Sequence, residues 1–168
     1  MTRFSPIWSK RMRSLWRLKN SKKNETMKKL TKLRDYLSNK IPFLKENPEN
    51  LSLFVENGRV ITTLAKTPSL EYDYTANIII ESYNGNQDIL MTVISDWLRQ
   101  YQPDMLANPI KRQDGFLFDA VILSNDTAHI SIDLKLTERI LATDSEGKWV
   151  VESITEPTNP FDEWQTER

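Results

Sequence analysis

Three stretches of the chain alternate apolar and polar residues with a period of two, which is typical of strands with one buried face. The longest covers residues 70–80, where the even positions are apolar or aromatic and the odd positions begin with polar residues. Two more follow at residues 116–122 and 130–136, and Ser124-Asn125-Asp126 between them predicts a turn that joins them as an antiparallel hairpin. Ser145-Glu146-Gly147 indicates another hairpin, between residues 140–143 and 148–154.

Two shorter β-prone runs precede these stretches, at residues 51–56 and 59–65. Asn57-Gly58 separates them, and both residues tolerate the positive φ that a two-residue turn requires. The sequence therefore predicts a hairpin with its turn at Asn57-Gly58.

Two other stretches have the spacing of amphipathic helices. In the first, five apolar residues recur at intervals of three or four, and Pro42 bends or ends the helix; they are Leu30, Leu33, Leu37, Ile41 and Leu44. In the second, Asp88 is a candidate N-cap and Pro103 stops the helix. Its broad apolar stripe is expected to face the core; it comprises Ile89, Leu90, Val93, Ile94, Trp97, Leu98 and Tyr101.

Together these elements predict an α+β fold, a mainly antiparallel sheet with two helices packed on one face. A chain of 168 residues has room for one ordinary domain. We assign that domain to residues 27–156. Residues 157–168 are polar and contain Pro160, so a flexible tail is expected there.

Charge separates an N-terminal arm from this domain. The chain has 23 basic and 23 acidic residues, and residues 1–26 hold 8 of the basic and 1 of the acidic ones. The remaining residues therefore have 15 basic and 22 acidic side chains, a net charge of −7. Basic residues interleaved with tryptophans could contact nucleic acid or an anionic membrane surface. The alternatives are a flexible arm without such a role, or an extension upstream of an original start at Met27. No apolar run approaches the roughly 18 residues that a membrane span needs.

The composition excludes most catalytic chemistry. The chain has no cysteine, so disulfides, thiolate metal sites and cysteine nucleophiles are excluded. Its one histidine, His129, falls in the polar register of its strand and is expected to be exposed, and its four glycines are scattered rather than clustered as in a phosphate-binding loop. We therefore expect no catalytic, cofactor-binding or metal-binding residues.

One enzyme-like pattern remains as an alternative. Asp119, Asp133 and Lys135 share the polar register of two neighbouring predicted strands, an arrangement that a magnesium-dependent nuclease could use. An exposed sheet face also carries such residues at alternate positions without any chemistry.

Several blocks of sequence, in a characteristic order and spacing, carry a family resemblance. They are Leu44-Lys45-Glu46-Asn47-Pro48, Phe54-Val55-Glu56-Asn57-Gly58, Leu70-Glu71-Tyr72-Asp73-Tyr74-Thr75, Trp97-Leu98-Arg99 with Gln102-Pro103-Asp104, Gly115-Phe116-Leu117-Phe118 and Leu136-Thr137-Glu138-Arg139. Together they resemble the tail completion protein R family (GpR) of contractile-tailed bacteriophages and their prophages. The similarity spans roughly residues 33–157, and residues 1–26 lie outside it.

The resemblance implies a virion assembly protein that completes or terminates the tail and enables stable joining to the head. Implied partners are copies of the chain itself in a ring, often sixfold, the tail tube and sheath proteins, and other tail or head completion proteins. The implied location is the host cytoplasm during assembly and the virion tail afterwards. The first alternative is a nucleic-acid-binding accessory protein that acts through the basic arm, and the second is the metal-dependent nuclease.

A ring requires two different, complementary patches on each subunit. The predicted Asn57-Gly58 hairpin and the solvated sheet face are candidates, as are charged residues at the ends of elements. The candidate interface residues are Phe54, Glu56, Asn57, Arg99, Glu138 and Arg139.

Overall fold

The computed structural model describes residues 27–124 and 126–156. The helices are α1 (Lys28–Lys40), α2 (Pro42–Glu46), α3 (Gln87–Tyr101), α4 (Pro103–Ala107) and α5 (Pro109–Asp114), with a 3₁₀ turn at Pro48–Asn50. The strands are β1 (Leu51–Thr62), β2 (Leu70–Tyr83), β3 (Phe116–Ile122), β4 (Ala128–Ser145) and β5 (Lys148–Ile154). The predicted N-terminal arm and C-terminal tail lie outside the described residues.

All strand pairs in the described chain are antiparallel, and the sheet order is β1-β2-β4-β3, with β5 also paired to β4. Arg139 and Ile140 of β4 pair with β2 on one side and with β5 on the other. Strands β3 and β5 therefore lie one after the other along the same side of β4. The predicted α+β class with a mainly antiparallel sheet is confirmed.

The core lies between one face of the sheet and helices α1 and α3. Leu33 and Leu37 of α1, and four residues of the predicted stripe of α3, are fully buried against the even-numbered side chains of β2 and β4. Trp97 has no exposed surface, so its predicted place in the core is confirmed. Ile89 is the exception in the stripe, since more than half of its side chain is exposed.

Prolines and asparagines delimit the helices. Pro42 begins α2 after α1 has ended, and Pro103 and Pro109 begin α4 and α5, because proline fits the first turn of a helix but not its interior. The N-cap of α3 is Asn86 rather than the predicted Asp88, since its side-chain Oδ1 accepts hydrogen bonds from the backbone N–H groups of Asp88 (2.8 Å) and Ile89 (3.2 Å).

The predicted hairpin at Asn57-Gly58 is wrong, because β1 runs through both residues as one strand. Glu56 pairs with Thr75 and Arg59 with Asp73, so Asn57 and Gly58 together lie opposite one residue of β2, as in a β-bulge. Only Asn57 of the two has a positive φ, of 52°. A two-residue hairpin turn with positive φ at both centres forms instead at Glu146 (54°) and Gly147 (77°), as predicted.

The helices leave part of the sheet uncovered, and we call this part the open rim: residues Arg59–Thr62 of β1 together with β3 and β5. Its strands are rich in apolar side chains that are 45–70% exposed. They are Val60, Ile61, Leu117, Phe118, Val121, Ile122, Trp149, Val150, Val151 and Ile154. The predicted alternation in β3 is therefore present in the sequence, but its even-numbered face is not part of the core beyond Phe116.

Candidate assembly surfaces

The predicted interface residues on β1 lie on an edge strand with a bulge. Phe54 pairs with Asn77, so its half-buried ring lies on the sheet face opposite the helices. Glu56 and Asn57 are exposed beside the bulge. Since β1 pairs with β2 alone among the described residues, its other side is a free sheet edge.

Arg139 lies on that same outer face, in a short ladder of ion pairs. The Nε of Arg139 donates to the Oε2 of Glu71 at 3.0 Å. Arg59 contacts Asp73, which lies two residues after Glu71 in β2 and on the same face of the sheet. Both arginine side chains are largely exposed, so each pair contributes little to stability. These guanidinium groups therefore remain accessible to a neighbouring chain.

Glu138 is not at the surface, contrary to the expectation that its charge could reach a neighbour. It lies in the interior of β4 with 2% of its surface exposed, because its even position places it on the helix side of the sheet. Its Oε1 accepts hydrogen bonds from the Tyr74 hydroxyl at 2.6 Å and from the backbone N–H of Lys29 at 3.3 Å. Glu138 thus supports the fold, and we do not retain it as a contact residue.

The Glu138 contacts belong to a larger buried polar cluster that joins both ends of the described chain. The Lys29 ammonium donates to Gln102 at 2.7 Å and to Glu156 at 2.8 Å. Burial, together with the negative charge of Glu138 and the hydrogen bond to it, raises the pKa of the Tyr74 phenol well above its usual range. Because every member has a partner, the cluster ties α1 to the sheet and to the end of the chain.

Arg99 is exposed in the last turn of α3, where a positive charge is favourable beside the helix C-terminus. The following turns carry an ion pair between Lys111 and Asp104 at 2.6 Å. Burial opposes ionisation of Asp104, but the hydrogen bonds from Lys111 and Gln102 outweigh it and lower the pKa of this carboxyl. This end of α3 therefore presents an ordered, charged surface.

Two of the three side chains in the arrangement that resembles a nuclease, Asp133 and Lys135, are engaged in hydrogen bonds or ion pairs within the chain. Asn77 donates to the Asp133 carboxylate at 2.5 Å, and Lys135 contacts Asp114 at 2.5 Å. Asp119 is exposed, and its backbone lies opposite Ser131 on the neighbouring strand. No group of three or more histidine, cysteine, aspartate or glutamate side chains in residues 27–124 and 126–156 could hold a metal ion.

His129 is only half-buried, and its Nδ1 accepts a hydrogen bond from the backbone N–H of Ser82 at 3.0 Å. It therefore fills a structural role at the end of β2 as well as facing the polar side of the sheet. No helix in the described part of the chain is long and apolar enough to cross a membrane.

The open rim is the feature that sequence reasoning missed. Its signal was present, because β3 has apolar residues at odd as well as even positions and β5 contains Trp149-Val150-Val151 without interruption. A strand that is apolar on both faces is stable in water only when other protein surface packs on both faces. In the described chain most apolar side chains on both faces of β3 and β5 are exposed.

Apolar strands at free sheet edges, beside a charged outer face, are typical of a subunit that assembles with other protein chains. Comparison with known proteins gives this class a family: residues 27–157 match the family model of P2 phage tail completion protein R (GpR). The chain belongs to this family. It is 39% identical, over 134 residues, to the tail completion protein R of Escherichia phage P2, an alignment that covers 80% of this chain and 86% of the relative. No solved structure matches the chain significantly.

Proposed function

We propose that the protein is a structural subunit of a phage tail, which it completes so that the tail joins stably to the head. The observation that carries this proposal is the family match over residues 27–157, which includes every helix and strand of the described chain. The P2 relative is named for tail completion. The protein then acts in the virion tail, after folding in the host cytoplasm where tails assemble.

We further infer that the subunits form a ring that contacts the tail tube and sheath and other completion proteins. A ring needs a heterologous interface between two different patches, and the free edge of β1 and the open rim at β3 and β5 are two such patches on opposite sides of the sheet. Phe54, Glu56, Asn57, Arg99 and Arg139 remain candidate contact residues, because all of them retain exposed surface.

Residues 27–156 serve as the tail completion domain in this proposal. The ion pair between Lys29 and Glu156 supports these bounds, because it joins the beginning and the end of the span at 2.8 Å. We expect a chain reduced to these residues to fold and to restore completion. If DNA binding that is sensitive to salt and lost without residues 1–26 proves necessary for completion, the nucleic-acid alternative gains support instead.

The main test is a phage or prophage from which the coding sequence has been deleted, examined by electron microscopy of the lysate. We expect filled heads beside free or abnormally long tails, and joined virions once the wild-type chain is supplied from a plasmid. Normal virions in the deletion lysate would contradict the proposal.

We also infer that the protein is not an enzyme. Asp133 and Lys135 are held by Asn77 and Asp114, which supports a structural role for both. The purified chain is expected not to nick DNA with magnesium or manganese. Nicking that Asp133→Ala abolishes, while the matched outer-face change Asp73→Ala preserves it, would overturn this inference.

A further inference from the structure

Two strand segments of the open rim lie at opposite edges of the sheet and are both apolar and exposed. Val60 and Ile61 on β1 are 59% and 45% exposed, and Trp149, Val150 and Val151 on β5 are 57%, 52% and 66% exposed. Among residues 27–124 and 126–156, β1 pairs only with β2 and β5 only with β4. Natural proteins rarely leave apolar edge strands open, because such edges pair with other chains.

The strand directions decide how a second copy can meet these edges. Along the path β1-β2-β4-β5 each pair is antiparallel, so β5 runs opposite to β1. A copy placed head to tail beside β5 therefore brings its own β1 there in the antiparallel direction. The same contact can repeat from copy to copy, which is the heterologous arrangement that closes into a ring.

The backbone groups of β5 support this contact. The two-residue turn at Glu146 and Gly147 makes Ser145 and Lys148 a hydrogen-bonded pair. Because hydrogen-bonded and non-hydrogen-bonded pairs alternate along antiparallel strands, the N–H and C=O groups of residues 149, 151 and 153 point away from β4. They face the open edge.

The same alternation applies to β1. The N–H of Lys135 donates to Gly115, so odd-numbered residues of β4 bond toward β3 and β5, and even-numbered ones bond toward β2. Odd-numbered residues of β2 then bond toward β1, where Asp73 and Glu71 face Arg59 and Ile61. The backbone groups of residues 60 and 62 are left pointing to the open edge.

One register satisfies both edges at once. In this register, residue 60 in β1 of one copy lies opposite residue 151 in β5 of the other, so that the outward-pointing backbone groups of the two strands meet. Side chains that share a face within each copy then also share a face across the contact. Arg59 then lies opposite Glu152, a carboxylate with no ion-pair partner in the described chain. Registers displaced by two residues place Arg59 against Val150 or Ile154 and lose this charge pair.

Apolar neighbours in this register are also matched: Val60 meets Val151, and Ile61 meets Val150. A neighbour that is not shifted along the strand direction would place Ile61 opposite Ile154. Both residues lie in the same cross-strand row, in which Ile61 pairs with Glu71, Glu71 with Arg139, and Arg139 with Ile154. Residues 149–151 would then remain uncovered. The exposed residues thus favour the register that pairs residue 60 with residue 151 over the unshifted one that pairs Ile61 with Ile154.

We propose that β5 of one copy pairs antiparallel with residues 59–62 of β1 of the next copy, so that the sheet continues from subunit to subunit. This inference rests on the proposed function for its ring but specifies the surface and the register. Cross-strand apolar pairs and the opposite charges stabilise the contact, and the backbone hydrogen bonds align it.

The absence of natural cysteines makes disulfide trapping a direct test. Ile61 and Val150 form a non-hydrogen-bonded pair in the proposed register, with Cα atoms about 4.5 Å apart, which a disulfide can bridge. We expect the full chain carrying Ile61→Cys and Val150→Cys, oxidised alone or on tails assembled without the protein, to form a ladder of covalent oligomers that reduction removes.

The matched control carries Ile61→Cys and Ile154→Cys. Both cysteines lie on the same face as in the test variant, but the second is displaced by four residues, about 13 Å along the strand. We expect no ladder from this control and no covalent dimer from any single-cysteine variant. A ladder from the control, or dimers through Ile61→Cys alone, would overturn the proposed register.

Complementation separates this inference from the proposed function. A chain that restores joined virions but gives no ladder from the Ile61→Cys and Val150→Cys variant refutes the strand pairing and leaves tail completion intact. A ladder from a chain whose deletion has no effect on tails supports the pairing and refutes tail completion.

Discussion

Strands β2 and β3 both carry apolar residues at their even positions but differ in what covers those residues. The even-numbered residues from Tyr74 to Ile80 in β2 are at most 2% exposed, whereas Phe118 and Ile122 in β3 are 55% and 70% exposed. Helices α1 and α3 pack over β2 and the first half of β4, and within β3 only Phe116 packs against this core. An alternating pattern thus identifies an apolar face without telling whether the same chain buries it.

This difference separates two kinds of apolar residue. Those under α1 and α3 stabilise the subunit, and those on the open rim are available to stabilise an assembly. A substitution in the first group should therefore change folding, while one in the second should change completion of the tail. The following predictions test that division, from the largest expected effect to the smallest.

Ile78→Ala and Ile122→Ala remove the same atoms from the two regions. Ile78 is fully buried, so we expect its truncation to lower the free energy of unfolding by about 3 kcal/mol. We expect Ile122→Ala to stay within about 0.5 kcal/mol of wild type, because its side chain is already in solvent. Urea denaturation followed by tryptophan fluorescence measures both, and equal losses would contradict the division.

Glu138→Ala tests the buried polar cluster beside the covered part of the sheet. The change leaves the Tyr74 hydroxyl and the Lys29 backbone N–H without their acceptor, so we expect a loss of about 2 kcal/mol. Glu152→Ala on the open rim is the matched control, with an expected change near zero in the isolated chain. A neutral Glu138→Ala would show that the cluster contributes nothing to the fold.

Alkaline pH provides a separate test of Tyr74. Its pKa is raised in the folded chain, so its contribution to stability is complete below about pH 10, where the unfolded phenol ionises. Above that pH the unfolded chain loses a proton that the folded chain keeps, and the free energy of unfolding falls by about 1.4 kcal/mol per pH unit. Tyr74→Phe should remove that part of the slope, and an unchanged slope would argue against a raised pKa.

Asn57→Ala tests the bulge in β1, where the backbone φ is 52°. Alanine tolerates this conformation poorly, so we expect a loss of about 1 kcal/mol, and Asn57→Gly should be neutral or slightly stabilising. The control Glu56→Ala, one residue earlier and without a positive φ, should change stability less than Asn57→Ala. Thermal unfolding of the three variants measures the order.

Periodicity in the sequence was enough to identify the two long helices, the long strands and the antiparallel sheet, but not the short helices α4 and α5, which no periodic pattern indicated. Alternation identifies an apolar face of a strand, and helical spacing identifies an apolar stripe of a helix, because both follow from local backbone geometry. The same residues, with the blocks from Leu44 to Arg139, indicated the family. Absent cysteines and scattered glycines excluded most catalytic sites, because those sites require particular residue types.

Tertiary structure decided the features that depend on a distant partner. Asn57-Gly58 suits both a turn and a bulge, and only the continuous pairing of β1 with β2 selects the bulge. Glu138 was a candidate contact because it was expected at the end of a strand, but β4 continues to Ser145. Tyr74 and Lys29, 64 and 109 residues away, hold its side chain inside. The open rim depends on where α1 and α3 end over the sheet: the apolar residues of β3 and β5 indicate strands that require cover, but not whether this chain provides it.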